Sequence, residues 1–341
     1  MIYDCFPFFN ELDILEIRLN VLNDAVDRFI LVESSVTFHG KSKPLFYTEN
    51  QSRFAQFSDK IIHIVSSCPA QQLGGTEQMY FFENHQRDAI MQGLKDCRLD
   101  DVVLISDVDE IPNPEKILAY LDSPGIKVFE QKMMYYYLNM QNYSDPVWRG
   151  TRMGRLADLL DPAQDFPPNA AHAHSRKGLP TYFRFCSGPH IKDGGWHFSY
   201  CGGIEAIMKK MHSIAGTRTG QLSTIVAKTD AADIRRTIAR GEDIYGRREF
   251  FYAPVGLEEL PQFVQENLSK YSHLISLRKP FPLQLKLAQY QSELVQTQSE
   301  LAQAQGELVQ AQNELAQAQR ILNHAVIRAQ RKVWKLIKFW K

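Results

Sequence analysis

The stretch Asp101-Val-Val-Leu-Ile-Ser-Asp-Val-Asp-Glu-Ile-Pro112 constrains the fold more than any other. Val102 to Ile105 is a short apolar run without alternation, the pattern of a strand buried on both faces. It runs into Ser106, Asp107, Val108 and Asp109, and Pro112 stops regular continuation. Two carboxylates one residue apart therefore stand at the carboxyl end of a central strand. In open α/β sheets ligands bind at that edge. Asp-x-Asp offers hard oxygen ligands to a divalent cation that also holds a diphosphate. The same tripeptide also occurs in solvated acidic turns, so its surroundings carry weight.

Those surroundings alternate strand and helix. Ile2 to Phe6 reads as a strand cut by Pro7. Asn10 can cap a helix in which Leu12, Leu15, Leu19, Leu22 and Val26 recur at helical spacing. Phe29 to Val32 is a second strand, with Glu33 at its carboxyl end, completing a βαβ unit. Lys41 and Lys43 follow in a polar loop near the same edge. A helix around Glu49 to Phe57 and a strand from Lys60 to Val65 come next, and Gly74-Gly75-Thr76 then opens a helix to about Lys95 with Thr76 as its cap. That last helix carries Asn84, Arg87 and Asp88. The pattern predicts an α/β fold with a doubly wound sheet.

Beyond Pro114 the pattern changes. Ile126 to Met140 is strand-like and holds Tyr135, Tyr136 and Tyr137, which suit either a core or the apolar face of a sugar ring, and Trp148 follows. Asp161 to Pro180 reads as a loop and Tyr182 to Cys186 as a strand. A second chemical concentration lies in His190 to Gly203, where Asp193, Trp196 and His197 stand beside paired glycines that allow close backbone approach. Helices are expected at Ile204 to Ser213 and Ala231 to Arg240.

From Ser292 the chain repeats every seven residues. Leu294, Leu301, Leu308, Leu315 and Leu322 form one seam, with Thr297, Ala304, Ala311 and Ala318 three residues later. A lone helix would leave that stripe exposed, so a coiled coil joining copies of the chain is expected. Arg320 to Lys341 then has no acidic residue and interleaves Lys and Arg with Val333, Trp334, Ile337, Phe339 and Trp340. Such a tail suits an anionic membrane surface. The expected divisions are 1–281, a heptad segment 282–322 and a basic amphipathic tail 323–341.

Lys plus Arg and Asp plus Glu are both 39, which leaves no global field for nucleic acid. Cys5, Cys68, Cys97, Cys186 and Cys201 are odd in number and form no Cys-x-x-Cys pair, against a disulfide framework or a structural zinc site. No basic region followed by an apolar stretch opens the chain, and no run of about 20 apolar residues occurs. The expected location is the cytoplasm, peripheral on the inner face of the cell membrane.

The stretches "DCFPFFNELDILEIRLNVL", "FILVESSVTFHGKSKPL", "DVVLISDVDEIP" and "GGWHFSYCGG", in that order, resemble glycosyltransferase family 17 over about residues 1 to 280. The resemblance implies a GT-A type nucleotide-diphospho-sugar transferase fold and inverting transfer of N-acetylglucosamine from UDP-N-acetylglucosamine to a sugar hydroxyl of a glycan. It implies Mn²⁺, or Mg²⁺, as the metal. Eukaryotic members carry an amino-terminal membrane anchor, so the resemblance here is to a shorter, bacterial relative whose acceptor need not be a glycoprotein. Asp107, Asp109 and His197 are the metal candidates. Asp193 is the candidate general base, with Glu205 as its rival. Glu33, Lys43, Arg87, Asp107 and Trp196 are the donor-binding candidates. Alternatives are another GT-A chemistry with a different donor, such as a retaining hexosyltransferase, or a coiled-coil scaffold at a membrane without catalysis.

Overall fold

The computed structural model describes residues 1–37, 41–67, 75–160, 178–214, 229–278, 290, 293–312, 314, 315, 317 and 319. Residues 1–285 form one compact unit and residues 286–341 another. The expected loop up to residue 177, Cys68 and the basic tail lie outside the described residues. Among the described residues no helix is long and apolar enough to cross a membrane.

The strands of the first unit are β1 (Ile2–Phe8), β2 (Arg28–Ser34), β3 (Ile61–Ser66), β4 (Val102–Ile105), β5 (Glu110–Pro112), β6 (Lys127–Phe129), β7 (Gln131–Tyr135), β8 (Met140–Asn142), β9 (Val147–Trp148), β10 (Arg152–Arg155), β11 (His190–Ile191), β12 (Gly195–Ser199) and β13 (Tyr252–Pro254). The larger sheet has the order β11-β6-β10-β4-β1-β2-β3, and the smaller has β13-β8-β7-β12-β5, with β9 on β7. β4, β1, β2 and β3 are mutually parallel. β10 runs antiparallel to β4 and extends the sheet on that side. The fold is mixed α/β.

Both faces of β1, β2 and β4 are buried, which is why their centres read as apolar runs, while β3 at the sheet edge is only partly covered. Phe6, Phe8, Phe29, Leu31 and Leu104 point to one face, with Leu15 and Leu19 of helix α1 (Leu12–Leu22) packed there. The intervening residues Cys5, Ile30, Val32, Val103 and Ile105 point to the other, against Ile90 and Leu94. The tyrosines of β7 and its end belong to a third core. Tyr135 stacks on Tyr252 at 4.8 Å between ring centroids, and Tyr136 meets the same ring edge-on.

Pro7 does not end β1, which continues to Phe8. Pairing with β4 stops at Cys5, so beyond it that side of β1 is an open edge where a missing N–H breaks no ladder. Tyr182 to Cys186 is not a strand: α3 (Leu179–Phe183) lies there, following α2 (Gly75–Asp88) in chain order. The reason is long-range. Asp88 accepts from Gly178 N–H at 2.6 Å and from Thr181 N–H and Oγ1–H at 3.1 and 2.6 Å, capping the turn that Pro180 begins.

One buried ion pair ties α1 to the strand ends. Arg18 and Asp4 are both fully buried and meet through two bonds, Nε–Oδ2 at 2.8 Å and Nη2–Oδ1 at 2.6 Å. Arg18 also donates to the carbonyls of Asp107, Val108 and Glu110 at 2.9, 3.2 and 2.8 Å, and to Ser106 Oγ at 2.6 Å. Removing the cation alone strands a buried carboxylate. Arg18→Met should therefore cost about 3–5 kcal/mol in urea unfolding, and adding Asp4→Leu should recover much of that loss. A double variant no more stable than the single one would instead assign the energy to the carbonyl contacts.

Candidate active site

The carboxyl ends of β1 and β4, the middle of β12 and two helices enclose a cleft of about 280 Å³. Its floor is the turn from Ser106 to Glu110, whose carbonyls face inward to Arg18, leaving the Asp107 and Asp109 side chains to line the cleft. α2 is fastened alongside by Gln86, whose amide donates to the carbonyls of Phe8 and Val32 at 3.0 and 2.8 Å. One residue on, Arg87 donates to Asp107 Oδ1 at 2.8 Å and to Glu83 at 3.3 Å. Arg184, just past α3, reaches Asp107 Oδ2 at 3.4 Å and also pairs with Glu110.

Glu110 is fully buried and organises this corner. It accepts from Asp107 N–H at 2.9 Å and from Trp148 Nε1–H at 2.5 Å, besides the Arg184 pair. A Cβ on Gly150 would fall 2.3 Å from the Glu110 carboxyl group, so this close packing requires glycine there. The Trp148 ring lies 4.7 Å from the imidazole of His197 and remains 38% exposed at the cleft.

Asp109 has a different set of partners. Lys210 of α4 (Gly203–Ile214) donates to its Oδ2 at 2.8 Å, and His197 Nε2 stands 3.6 Å from its Oδ1. Burial raises both acids, but the cations outweigh it. Arg87 and Arg184 bring the Asp107 carboxyl down to about 2. Lys210 and His197 hold Asp109 well below the usual carboxylate range. Burial likewise works against the Lys210 ammonium, yet Asp109 raises it well above the ordinary lysine value. Both aspartates are anions throughout the physiological range.

Lys43, Arg87, Asp107, Asp109 and His197 thus share one cleft. The other candidates do not. Glu33 is fully buried behind it, accepting from Tyr47 N–H at 3.0 Å and facing His63 Nε2 at 3.4 Å. Trp196 neighbours His197 on a strand, so it faces the opposite side, where its Nε1–H donates to Glu259 O at 2.7 Å. Asp193 is an exposed turn residue with φ of 53°, at the far end of β12 beside Asn113. Gly195, two residues on at φ 122°, would put a Cβ 2.2 Å from Ile111 O. That turn is shaped by sheet closure, away from the cleft lining. Glu205 is exposed on α4 and is likewise not among the lining residues.

Arg18, Glu110, Trp148, Arg184 and Lys210 complete the site without having been singled out from the sequence for it. Arg18 had a legible signal: it is a cation among the apolar positions of α1. Lys210 had none, since a lysine on an amphipathic helix is ordinarily a solvated one.

Among the described residues no three His, Cys, Asp or Glu side chains converge as a metal cage. A cation that also holds phosphate does not require one, because one or two carboxylates plus substrate oxygens and water suffice. The Asp109–His197 gap fits that arrangement. At 3.6 Å it is too long for a hydrogen bond, and close to the roughly 3–3.5 Å expected between two ligands each about 2.1 Å from one ion. Asp107 differs, with its oxygens turned to Arg87 and Arg184.

The sequence model of the family described as Glycosyltransferase family 17 matches residues 1–276. The beta-1,4-mannosyl-glycoprotein 4-beta-N-acetylglucosaminyltransferases of Mus musculus and Homo sapiens are each 25% identical to the chain over 288 residues, covering 78% of it and 53% of their own length. The chain therefore spans about half the length of the curated relatives it matches. Among solved structures, glucosyl-3-phosphoglycerate synthase from Mycobacterium tuberculosis with Mn²⁺, UDP-glucose and glycerol 3-phosphate is 15% identical at a TM-score of 0.27, over 59% of this chain and 70% of that one. Its complex with Mn²⁺, UDP-glucose and phosphoglyceric acid gives 15% and 0.27 over 78% and 91%. Those structural likenesses are weak, whereas the family match spans nearly the whole first unit: the chain belongs to glycosyltransferase family 17.

Proposed function

We propose that the chain is a GT-A type, metal-dependent glycosyltransferase that moves N-acetylglucosamine from UDP-N-acetylglucosamine to a sugar hydroxyl with inversion. The observation that carries this reading is the cleft itself: Asp109 and His197 with a metal-sized gap, beside the cations Arg87, Lys43 and Lys210, at the carboxyl edge of a parallel sheet. The names of the curated relatives support N-acetylglucosamine as the sugar moved and a glycan as the acceptor class.

Asp109 and His197 would hold the cation, and an imidazole in the set favours Mn²⁺ over Mg²⁺. When bound, the metal supplies positive charge to a leaving diphosphate. The protein's own part is orientation and charge. Arg87 and Arg184 fix the ionised Asp107 as an acceptor for donor hydroxyl groups. The Lys43 ammonium is buried between Phe9 and Phe46, without a hydrogen-bond partner among the described residues, and so is free to meet the nucleotide. Trp148 offers an exposed ring face to a sugar. The proton of the acceptor hydroxyl goes to a cleft carboxylate, Glu11 or Glu83, in place of Asp193 or Glu205.

UDP-N-acetylglucosamine should be turned over with Mn²⁺ and not after chelation. Asp109→Asn should remove the Mn²⁺-dependent rise in melting temperature that UDP causes. A variant that keeps this rise would end the metal assignment. For the base, either Glu83→Gln or Glu11→Gln should cut turnover about a hundredfold or more with donor affinity kept, while Asp193→Asn and Glu205→Gln stay within about threefold of the parent. A large loss in Asp193→Asn alone would return the role to Asp193.

Burial lowers the Lys43 ammonium below the ordinary lysine value, against the pull of Glu33. Its charge is present at neutral pH and lost as pH rises through that lowered value. Donor affinity, measured by calorimetry, should therefore fall on an alkaline limb that begins below the ordinary lysine range. Lys43→Arg should move the limb upward, and an unmoved limb would remove Lys43 from the donor site.

A further inference from the structure

The second unit carries an observation independent of the cleft. Residues 293–312 are one helix, about 30 Å long at 1.5 Å per residue. Leu294, Leu301 and Leu308 stay 58–59% exposed along one face of it. With these leucines at heptad position a, Thr297, Ala304 and Ala311 fall at d, Glu293, Glu300 and Glu307 at g, and Gln298, Gln305 and Gln312 at e.

That flank pattern selects both the partner and its direction. An antiparallel pairing of two such helices would set g against g, glutamate against glutamate, which is repulsive. A parallel pairing sets each g glutamate against an e glutamine of the other helix, where the amide can donate to the carboxylate. The glutamates are also steadied from within: Gln303 and Gln310 donate to Glu307 and Glu314 at 3.0 Å, and Gln296 to Glu300 at 2.9 Å. Each bond engages one carboxylate oxygen and leaves the other available. An identical copy supplies the glutamine row in the same spacing, so no basic partner is required. We infer that this helix pairs in parallel and in register with the same helix of a second copy of the chain.

The test uses the full-length chain and reads association, so it stands or falls separately from transfer activity. Light scattering on a sizing column should give a dimer, and Leu301→Asp with Leu308→Asp should give a monomer. Replacing Gln298, Gln305 and Gln312 together by Lys should tighten the dimer about tenfold in sedimentation equilibrium, since each lysine then faces a glutamate in the parallel arrangement. Antiparallel helices would set lysine against lysine and weaken it. Thr297→Cys, near the amino end of the helix, should form a disulfide-linked dimer on mild oxidation beyond any formed by the parent, because parallel, in-register helices bring that residue against its own copy whereas antiparallel helices carry the two to opposite ends. A monomeric parent, a trimer or larger species, weaker association of the lysine variant, or no added cross-link would each overturn the inference.

Discussion

A guanidinium sealed inside the first unit decides where its acidic turn stands. Arg18 meets Asp4 across the β1–α1 connection and gathers three carbonyls of the turn that follows β4. Two charges taken out of water contribute little net stability. What this pair contributes is position. With the carbonyls of Asp107, Val108 and Glu110 drawn inward, the aspartate side chains are left for the cleft, at the edge where parallel strands deliver their residues.

Charge balance follows from that placement. Clustered carboxylates would repel one another and take up protons unless cations were packed among them. Arg87, Arg184 and Lys210 do this from three different helical segments, and both aspartates stay ionised as a result. The cations are largely occupied in doing so. The same cleft holds the Lys43 ammonium, which has no hydrogen-bond partner among the described residues, and the Asp109–His197 gap.

The smaller sheet supplies the opposite wall through alternation. On β12, His197 and Ser199 line the cleft while Trp196 anchors to Glu259 on the other side. The tryptophan that does reach the cleft, Trp148, comes from β9, a two-residue strand on β7. Its ring is held between the His197 imidazole and the Glu110 carboxylate, so one indole both braces the metal candidate and leaves a face exposed.

Local pattern alone was enough for the parallel core and for much of the cleft. Apolar runs marked β1 to β4 and helical spacing marked α1. Asp107, Asp109, Arg87 and Lys43 were named from their place near strand ends, and His197 from its crowding with Asp193 and Trp196 beside paired glycines. Period-two alternation, applied strictly, would also have separated Trp196 from His197. The heptads of residues 293–312 were equally plain, because their signal lies in short-range repetition. Long-range contacts decided the remainder. Asp88 turns an apparent strand into a helix ninety residues later, and closure of β12 on β5 leaves Asp193 in an outlying turn. Lys210 and Arg184 reach the aspartates across 101 and 77 residues, and Trp148 reaches Glu110 across 38. Only the tertiary structure could assign them, because a side chain's partner across such a span depends on how sheets and helices pack, and no local spacing encodes that.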